Sequence, residues 1–206
     1  MSGLFVTFEG IEGCGKSTQV ALLKERLEAE GHKTVVTREP GGTVNGEQVR
    51  SILLDPANTG IKSVTELLLY AAARAQHVDE LIRPALASGA IVVCDRFADS
   101  TTAYQGAGRA IERDLIQRAH DLATRGTWPD LTILLDLPAE IGIERARATR
   151  ELDRIEAEPL AFHRAVRNEF LHIAEHDPLR VRTIDATRPI GEIADIVWRI
   201  VEPHLP

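Results

Sequence analysis

Cysteine is nearly absent from this chain: Cys14 and Cys94 are the only two in 206 residues. Two thiols cannot build a disulfide framework, so free cysteines in a reducing compartment are expected. Net positive charge is lacking as well. Twenty-four basic against 31 acidic side chains leave a formal charge of −7, whereas DNA and anionic lipid need a broad positive field. Neither a nucleic acid polymer nor a membrane surface is therefore expected as a partner, although a local cluster of arginines still suits a small anion. No apolar run approaches the roughly 18 residues of a membrane span. The opening MSGLFVTFEGIEG lacks the basic start of a secretory signal and is broken by glycines. Repeats, low-complexity tracts and linkers are missing too. The expectation is one domain over residues 1–206, cytoplasmic, and long enough to bury a full core.

What is present is alternation. Short β-branched apolar runs predict strands at 4–8, 33–37, 90–94, 131–135 and 180–184. Amphipathic stretches predict helices at 17–30, 46–54, 65–87, 112–124, 138–149, 159–175 and 189–201. This order is that of parallel βαβ units: an α/β fold, with a five-stranded parallel sheet and helices on both faces. In such a fold ligands bind beyond the carboxyl ends of the strands. The sequences GIEGCGKS, REPGGT, DRFADS, the aspartate of LLD and DATRP each follow a different strand. Five loops thus converge on one edge.

Gly10, Gly15, Lys16 and Ser17 match G-x-x-x-x-G-K-[ST] between a strand and a helix, the context of a P-loop. Backbone N–H groups must approach phosphate oxygens closely, and the helix N-terminus adds its positive dipole end. Gly10, Ile11, Glu12, Gly13, Cys14, Gly15, Lys16, Ser17 and Thr18 are therefore expected to hold the donor phosphates. Lys16 brings charge to the β and γ groups, and Ser17 offers a hydroxyl to Mg²⁺. The domain is read as a single P-loop NTPase domain. The guanine-reading NKxD is absent, which argues against a GTPase.

Arg38 and Arg96 stand at strand tips, where a planar guanidinium suits a terminal phosphate. Tyr70 and Arg74 are spaced i, i+4 on one helix face. Either the ring stacks on a nucleobase while the arginine reaches a phosphate, or the ring is core and the arginine snorkels. Asp95 and Asp136 both end strands. Either could hold Mg²⁺ through water or orient an acceptor, and Asp95 is favoured because Arg96 follows it. Residues 144–156 read ERARATRELDRIE. Arg147, Arg150 and Arg154, spaced 3 and 4, fall on one helical stripe, either as an arginine lid or as a solvated face balanced by Glu144, Glu151, Asp153 and Glu156. His172 and His176 have the spacing of a metal pair but no third ligand, and are expected to be surface histidines.

Taken together, FEGIEGCGKST, TREPGGT, LLLYAAARAQ, DRFADSTTAYQGAGR and RELDRIE resemble the thymidylate kinases, and IDATRP extends the likeness toward residue 189. The resemblance implies an ATP-dependent phosphotransferase that makes dTDP from dTMP for dTTP biosynthesis, with Mg²⁺, as a homodimer. It implies that Tyr70 stacks on thymine and that Arg74, Thr101 and Gln105 contact the acceptor. Tyr104 would pack against deoxyribose, and Arg38, Arg50 and Arg96 would lie near its phosphate. Glu12 would hold the 3′-OH and help order Mg²⁺ with Ser17 and Asp95. The catalytic set implied is Lys16, Arg96, Arg150, Glu12 and Asp95. Some family members carry an arginine at the position of Gly13, so here the charge must come from a lid near 145–157, with Arg147 and Arg154 on ATP. One departure stands out. Where close relatives read RARARGELDR this chain reads RARATRELDR, so Thr149 holds the usual arginine position and Arg150 is expected to replace it, with Arg147 or Arg154 as the second choice. A kinase for another nucleoside monophosphate, or a P-loop switch ATPase, are the competing readings.

Overall fold

Alternation of inward and outward side chains along the first strand organises the whole molecule. In the computed structural model, which describes residues 3–149 and 151–206, β1 runs Phe5–Glu9 and is buried throughout. Successive strand residues face opposite sides of a sheet. Val6 and Phe8 accordingly join the larger core with Val20, Leu23 and Leu27, while Phe5 packs with Val78, Ile82, Val92 and Phe97 on the other side. Thr7 and Glu9 share the side of Phe5, which sends two polar groups into an otherwise apolar layer.

The remaining strands are β2 (Thr34–Arg38), β3 (Ile91–Asp95), β4 (Leu131–Asp136) and β5 (Val181–Asp185). All pair in parallel, in the order β2-β3-β1-β4-β5. β1 is therefore central, and the turn after it lies between the two halves of the sheet, where ligands bind in doubly wound folds. Four of the five strands begin one residue later than the apolar runs, and all five end one residue later. The polar residues Glu9, Arg38, Asp95, Asp136 and Asp185 belong to the strand ends, because the neighbouring strand continues beside them: Arg38 lies opposite Asp95, and Asp136 opposite Asp185.

The helices are α1 (Lys16–Ala29), α2 (Val44–Leu54), α3 (Ser63–His77), α4 (Arg83–Ala87), α5 (Ala98–Thr101), α6 (Arg113–Thr124), α7 (Ala139–Thr149), α8 (Leu160–His176) and α9 (Ile190–Val201). The helix expected over 65–87 is instead α3, a wide π-turn at Val78–Ile82 and α4. Pro84 has no N–H to continue the ladder, which accounts for the break. A second π-helical segment, Thr102–Gly108, continues α5. No helix is predicted over 98–108, where the threonines and glycines of ADSTTAYQGAG weaken helix propensity. The structure shows what overrides that weak propensity. The Glu9 carboxylate accepts from the N–H groups of Phe97 (2.7 Å) and Ser100 (3.3 Å) and so caps this helix from across the sheet.

Candidate active site

The turn from β1 into α1 wraps around its own lysine. Lys16 Nζ donates to the carbonyls of Gly10 (3.0 Å) and Ile11 (2.8 Å). Ile11 and Cys14 are buried, so these two loop positions face the core and offer a ligand only their backbone. Gly13, Gly15, Lys16, Ser17 and Thr18 line a cavity of about 850 Å³. Ser17 donates to the Asp95 carboxylate at 2.9 Å. Asp136 is instead held by Arg167 through two bonds of 2.7 and 2.9 Å, so of the two strand-end aspartates Asp95 is the one beside the loop.

The residues expected to meet the acceptor line the same cavity. Arg38, Arg50, Tyr70, Arg74, Arg96, Thr101, Tyr104 and Gln105 all contribute to its wall. Arg38 is exposed and paired with Glu47 at 3.1 Å. Arg50 donates to the Pro40 carbonyl at 2.8 Å. Arg74 does not snorkel: it is 2% exposed, and donates from Nε to Glu39 at 2.7 Å and from Nη2 to Phe97 O and Thr101 Oγ1 at 3.0 Å each. His77 extends the chain, bridging Glu39 at 3.0 Å and Thr37 at 2.7 Å. Burial and the nearby Glu66 charge raise the Tyr70 phenol, which stays neutral.

Arg96 ties the two ends of the cavity together. It is one of the few non-glycine residues with positive φ, at 70°. Its guanidinium donates to Gly10 O (2.9 Å), Ser100 Oγ (3.2 Å) and Glu12 Oε1 (3.0 Å), and lies 4.9 Å from the centre of the Tyr104 ring. Burial works against its charge, but Tyr104, Glu12, Asp95 and Glu9 outweigh it and raise its pKa well above the ordinary arginine value. Tyr104 donates its phenolic hydrogen to the same Glu12 oxygen. For Glu12, burial favours the neutral acid, yet His163, Arg96, Lys16 and Tyr104 together lower its pKa to about 2. The carboxylate is thus a fixed negative charge in the wall, turned toward Arg96 and Tyr104 rather than toward Ser17.

The lid is where the expected and observed placements diverge most. α7 rests directly on the P-loop through two glycines. A Cβ on Gly13 would lie 2.2 Å from Gly142 O, and one on Gly142 would lie 2.4 Å from Glu12 O. Gly13 also has φ of 68°, so the loop lacks a side chain here because the lid helix occupies its space. α7 ends at Thr149. Residues 151–153 carry no helix and Arg154 lies in a turn, so Arg147 and Arg154 do not share a helical stripe. Arg147 is exposed and off the cavity wall. Arg154 is buried on the acceptor side, donating to Leu53 O at 2.7 Å and paired with Glu66 at 2.6 Å. Arg150 lies outside the described residues. Among the described residues, the lid arginine that lines the cavity is Arg145, whose Cβ lies 3.1 Å from where a Gly13 Cβ would be. Among the described residues no group of three or more His, Cys, Asp or Glu is placed to hold a metal, and His172 and His176 sit at the surface.

With this geometry in hand, comparison with known proteins is decisive. The sequence model of the family described as thymidylate kinase matches residues 8–197. The chain belongs to the thymidylate kinase family. The thymidylate kinase of Pelobacter propionicus is 50% identical over 210 residues, covering 98% of this chain and 96% of the relative. That of Thermomicrobium roseum is 52% identical over 198 residues, covering 96% and 93%. A crystal structure of thymidylate kinase from Ehrlichia chaffeensis matches with a TM-score of 0.80 at 36% identity, over 98% of this chain and 99% of that one.

Several residues of this thymidylate kinase family member escaped the motif reading. Glu39, inside REPGGT, anchors Arg74, though the motif drew attention to its arginine. Glu66 gathers Gln105 (2.8 Å), Arg109 (3.1 Å) and Arg154 into one buried cluster. Glu9 carries the widest reach. Burial and the charge of Asp99 push its carboxyl up to about 7, against the pull of Arg96 and the hydrogen bonds from Ser100 and Phe97. A folded-state pKa above the ordinary 4.5 means that the native protein holds this proton more tightly. The stabilisation is complete at low pH and is lost as pH rises through about 7. In thermal melts between about pH 5 and 8, the wild type loses more stability with rising pH than Glu9→Gln, whose amide does not titrate in this range. Equal slopes in the two proteins would refute the assignment.

Proposed function

We propose that this chain transfers the γ-phosphoryl group of ATP to dTMP, forming dTDP and ADP and so feeding dTTP biosynthesis. The observation that carries this reading is a single cavity of about 850 Å³ with a P-loop at one end and Tyr70, Arg74 and Arg96 at the other. A phosphoryl donor and a nucleotide acceptor fit end to end in such a space, and family membership supports the assignment. ATP lies with its phosphates against the loop N–H groups and Lys16. Tyr70 stacks on thymine, Arg74, Thr101 and Gln105 border the base, and Tyr104 lies against deoxyribose. Glu12 accepts from the 3′-OH. Arg38, Arg50 and Arg96 neutralise the dTMP phosphate.

A phosphate oxygen of dTMP attacks the γ-phosphorus in line. The new O–P bond forms as the bond to the β,γ-bridging oxygen breaks, and ADP departs. The attacking phosphate is already largely ionised, so no general base is required. Lys16 and Arg96, with Arg145 and Arg150 from the lid segment, supply charge to the moving group. The Ser17 hydroxyl and Asp95 carboxylate suit Mg²⁺, which would neutralise the β and γ oxygens when bound. The exposed Val64 and Leu68 of α3 and Leu115 and Leu122 of α6 give an apolar face suited to a second copy, in keeping with a homodimer. Among the described residues no helix is long and apolar enough to cross a membrane, and a cytoplasmic site of action is proposed. A coupled assay with ATP and a panel of monophosphates tests the proposal. Expected are equal yields of dTDP and ADP with dTMP. ATP hydrolysis at the same rate without any acceptor would overturn it.

A further inference from the structure

Among the described residues a few buried side-chain polar atoms have no hydrogen-bond partner, and three of them belong to Glu12 and His163. His163, in the first turn of α8, has a side chain with no solvent exposure, and neither ring nitrogen has a hydrogen-bond partner among the described residues. Glu12 Oε2 is likewise buried without a partner. The two face each other, with His163 Nδ1 3.4 Å from Glu12 Oε2. A buried, unpaired donor and acceptor at this separation are both costly, so their persistence calls for a role. Glu12 lines the cavity and His163 does not. α8 is also locked to the acceptor side of the site, since Phe162 and Phe170 each pack edge-on against Tyr104 with ring centres 6.1 Å apart.

Counting lone pairs gives the contact a purpose. An ionised carboxylate offers about four acceptor sites on its two oxygens. On Glu12, Arg96 Nη2 and the Tyr104 hydroxyl occupy both sites of Oε1. The sites of Oε2 are closed to the cavity, since that atom is buried, and His163 Nδ1 is the group placed to donate to one of them. We propose that His163 is a positioning residue: its Nδ1–H holds the buried Oε2 of Glu12, which keeps Oε1 turned toward Arg96 and Tyr104 in the wall where the acceptor docks. This rests on the reading of the chain as a kinase of dTMP, the acceptor that meets this wall. The 3.4 Å separation fits a contact that shortens when the acceptor engages Glu12, since hydrogen bonds of a site are commonly long before substrate binds. The pull of His163 is also the largest of the influences that keep Glu12 ionised.

Two polar substitutions separate positioning from packing. Asparagine places an amide N–H close to the position of Nδ1, whereas the longer glutamine moves it beyond. His163→Asn is expected to keep KM for dTMP within about threefold of wild type, and His163→Gln to raise it about tenfold, the scale of one hydrogen bond to a charged group. KM for ATP stays unchanged in both. In a Glu12→Gln background the His163→Gln substitution adds nothing further, because the group through which it acts has lost its charge. Equal KM values for dTMP in the Asn and Gln variants, or an undiminished effect of His163→Gln beside Glu12→Gln, would overturn the inference. Wild-type protein that fails to phosphorylate dTMP would instead defeat the reading beneath it, so the two failures are told apart by the control.

Discussion

Replacing Arg96 by alanine lowers kcat/KM for dTMP about a thousandfold, the scale seen when a charge-stabilising group is removed from a phosphoryl-transfer site. Three contacts are lost at once: to Gly10 O in the donor loop, to Ser100 Oγ in the acceptor helix, and to Glu12 Oε1 between them. Glu12 then loses its principal guanidinium partner while remaining buried. Removing one member of a buried pair costs about 3–5 kcal/mol, because the other charge is left uncompensated. The Glu12 pKa therefore moves up from its value of about 2. Lysine restores charge but not the fork that spans three acceptors, so Arg96→Lys falls between alanine and wild type. The strained φ of 70° at this position is relieved by neither change, so the loss reports the side chain. Steady-state kinetics, with circular dichroism to establish folding, measure it. Activity of the alanine variant within tenfold of wild type would contradict the role given to Arg96.

The second large effect is expected from a single methyl group. Gly13→Ala places a Cβ 2.2 Å from Gly142 O and 3.1 Å from the Arg145 Cβ, at a residue whose φ is 68°. Left-handed backbone costs a non-glycine residue about 1–2 kcal/mol. The clash is with backbone rather than a flexible side chain, so α7 must lift from the loop. A displacement of about 1 Å at a reacting site lowers turnover about a hundredfold. Gly13→Ala is therefore expected to lose roughly that factor in kcat, together with several degrees of melting temperature. Gly142→Ala, from the other side of the same contact, is expected to behave alike, because its Cβ meets Glu12 O at 2.4 Å. Wild-type kcat in both variants would show that the lid helix need not sit on the loop. The same contact explains why an arginine at position 13 and this lid cannot coexist, and why Arg145, whose Cβ lies beside the vacant position, is favoured to supply charge.

The five strands and the five loops beyond them were legible in the sequence because each depends on a short, local apolar run. The residues around the cavity were legible because their motifs are contiguous. What the sequence concealed depends on contacts across the fold. The helix over 98–108 forms because Glu9 reaches it from β1, through an alternation that a one-dimensional propensity does not register. The helix predicted over 138–149 ends where α7 does, but the arginine stripe was extended past it to Arg154, which the structure sets against Glu66 and the Leu53 carbonyl. His163 is a lone histidine in an amphipathic stretch, and nothing in its neighbours marks it as facing Glu12. Glu39 and Glu66 stood in plain view, but a carboxylate in a phosphate-binding site reads as an oddity until the arginines it orients are located.

The central claim is that the acceptor end of the cavity reads dTMP, with Tyr70 under the base and Arg74 held rigid by Glu39 beside it. The direct measurement is kcat/KM with saturating ATP and Mg²⁺ for dTMP, dUMP, dCMP, dGMP and GMP in turn. The account predicts dTMP first, with the cytosine and guanine nucleotides at least about a hundredfold lower, since polar groups of a site left unpaired by the wrong base penalise it. Turnover of dCMP or GMP equal to that of dTMP would contradict it.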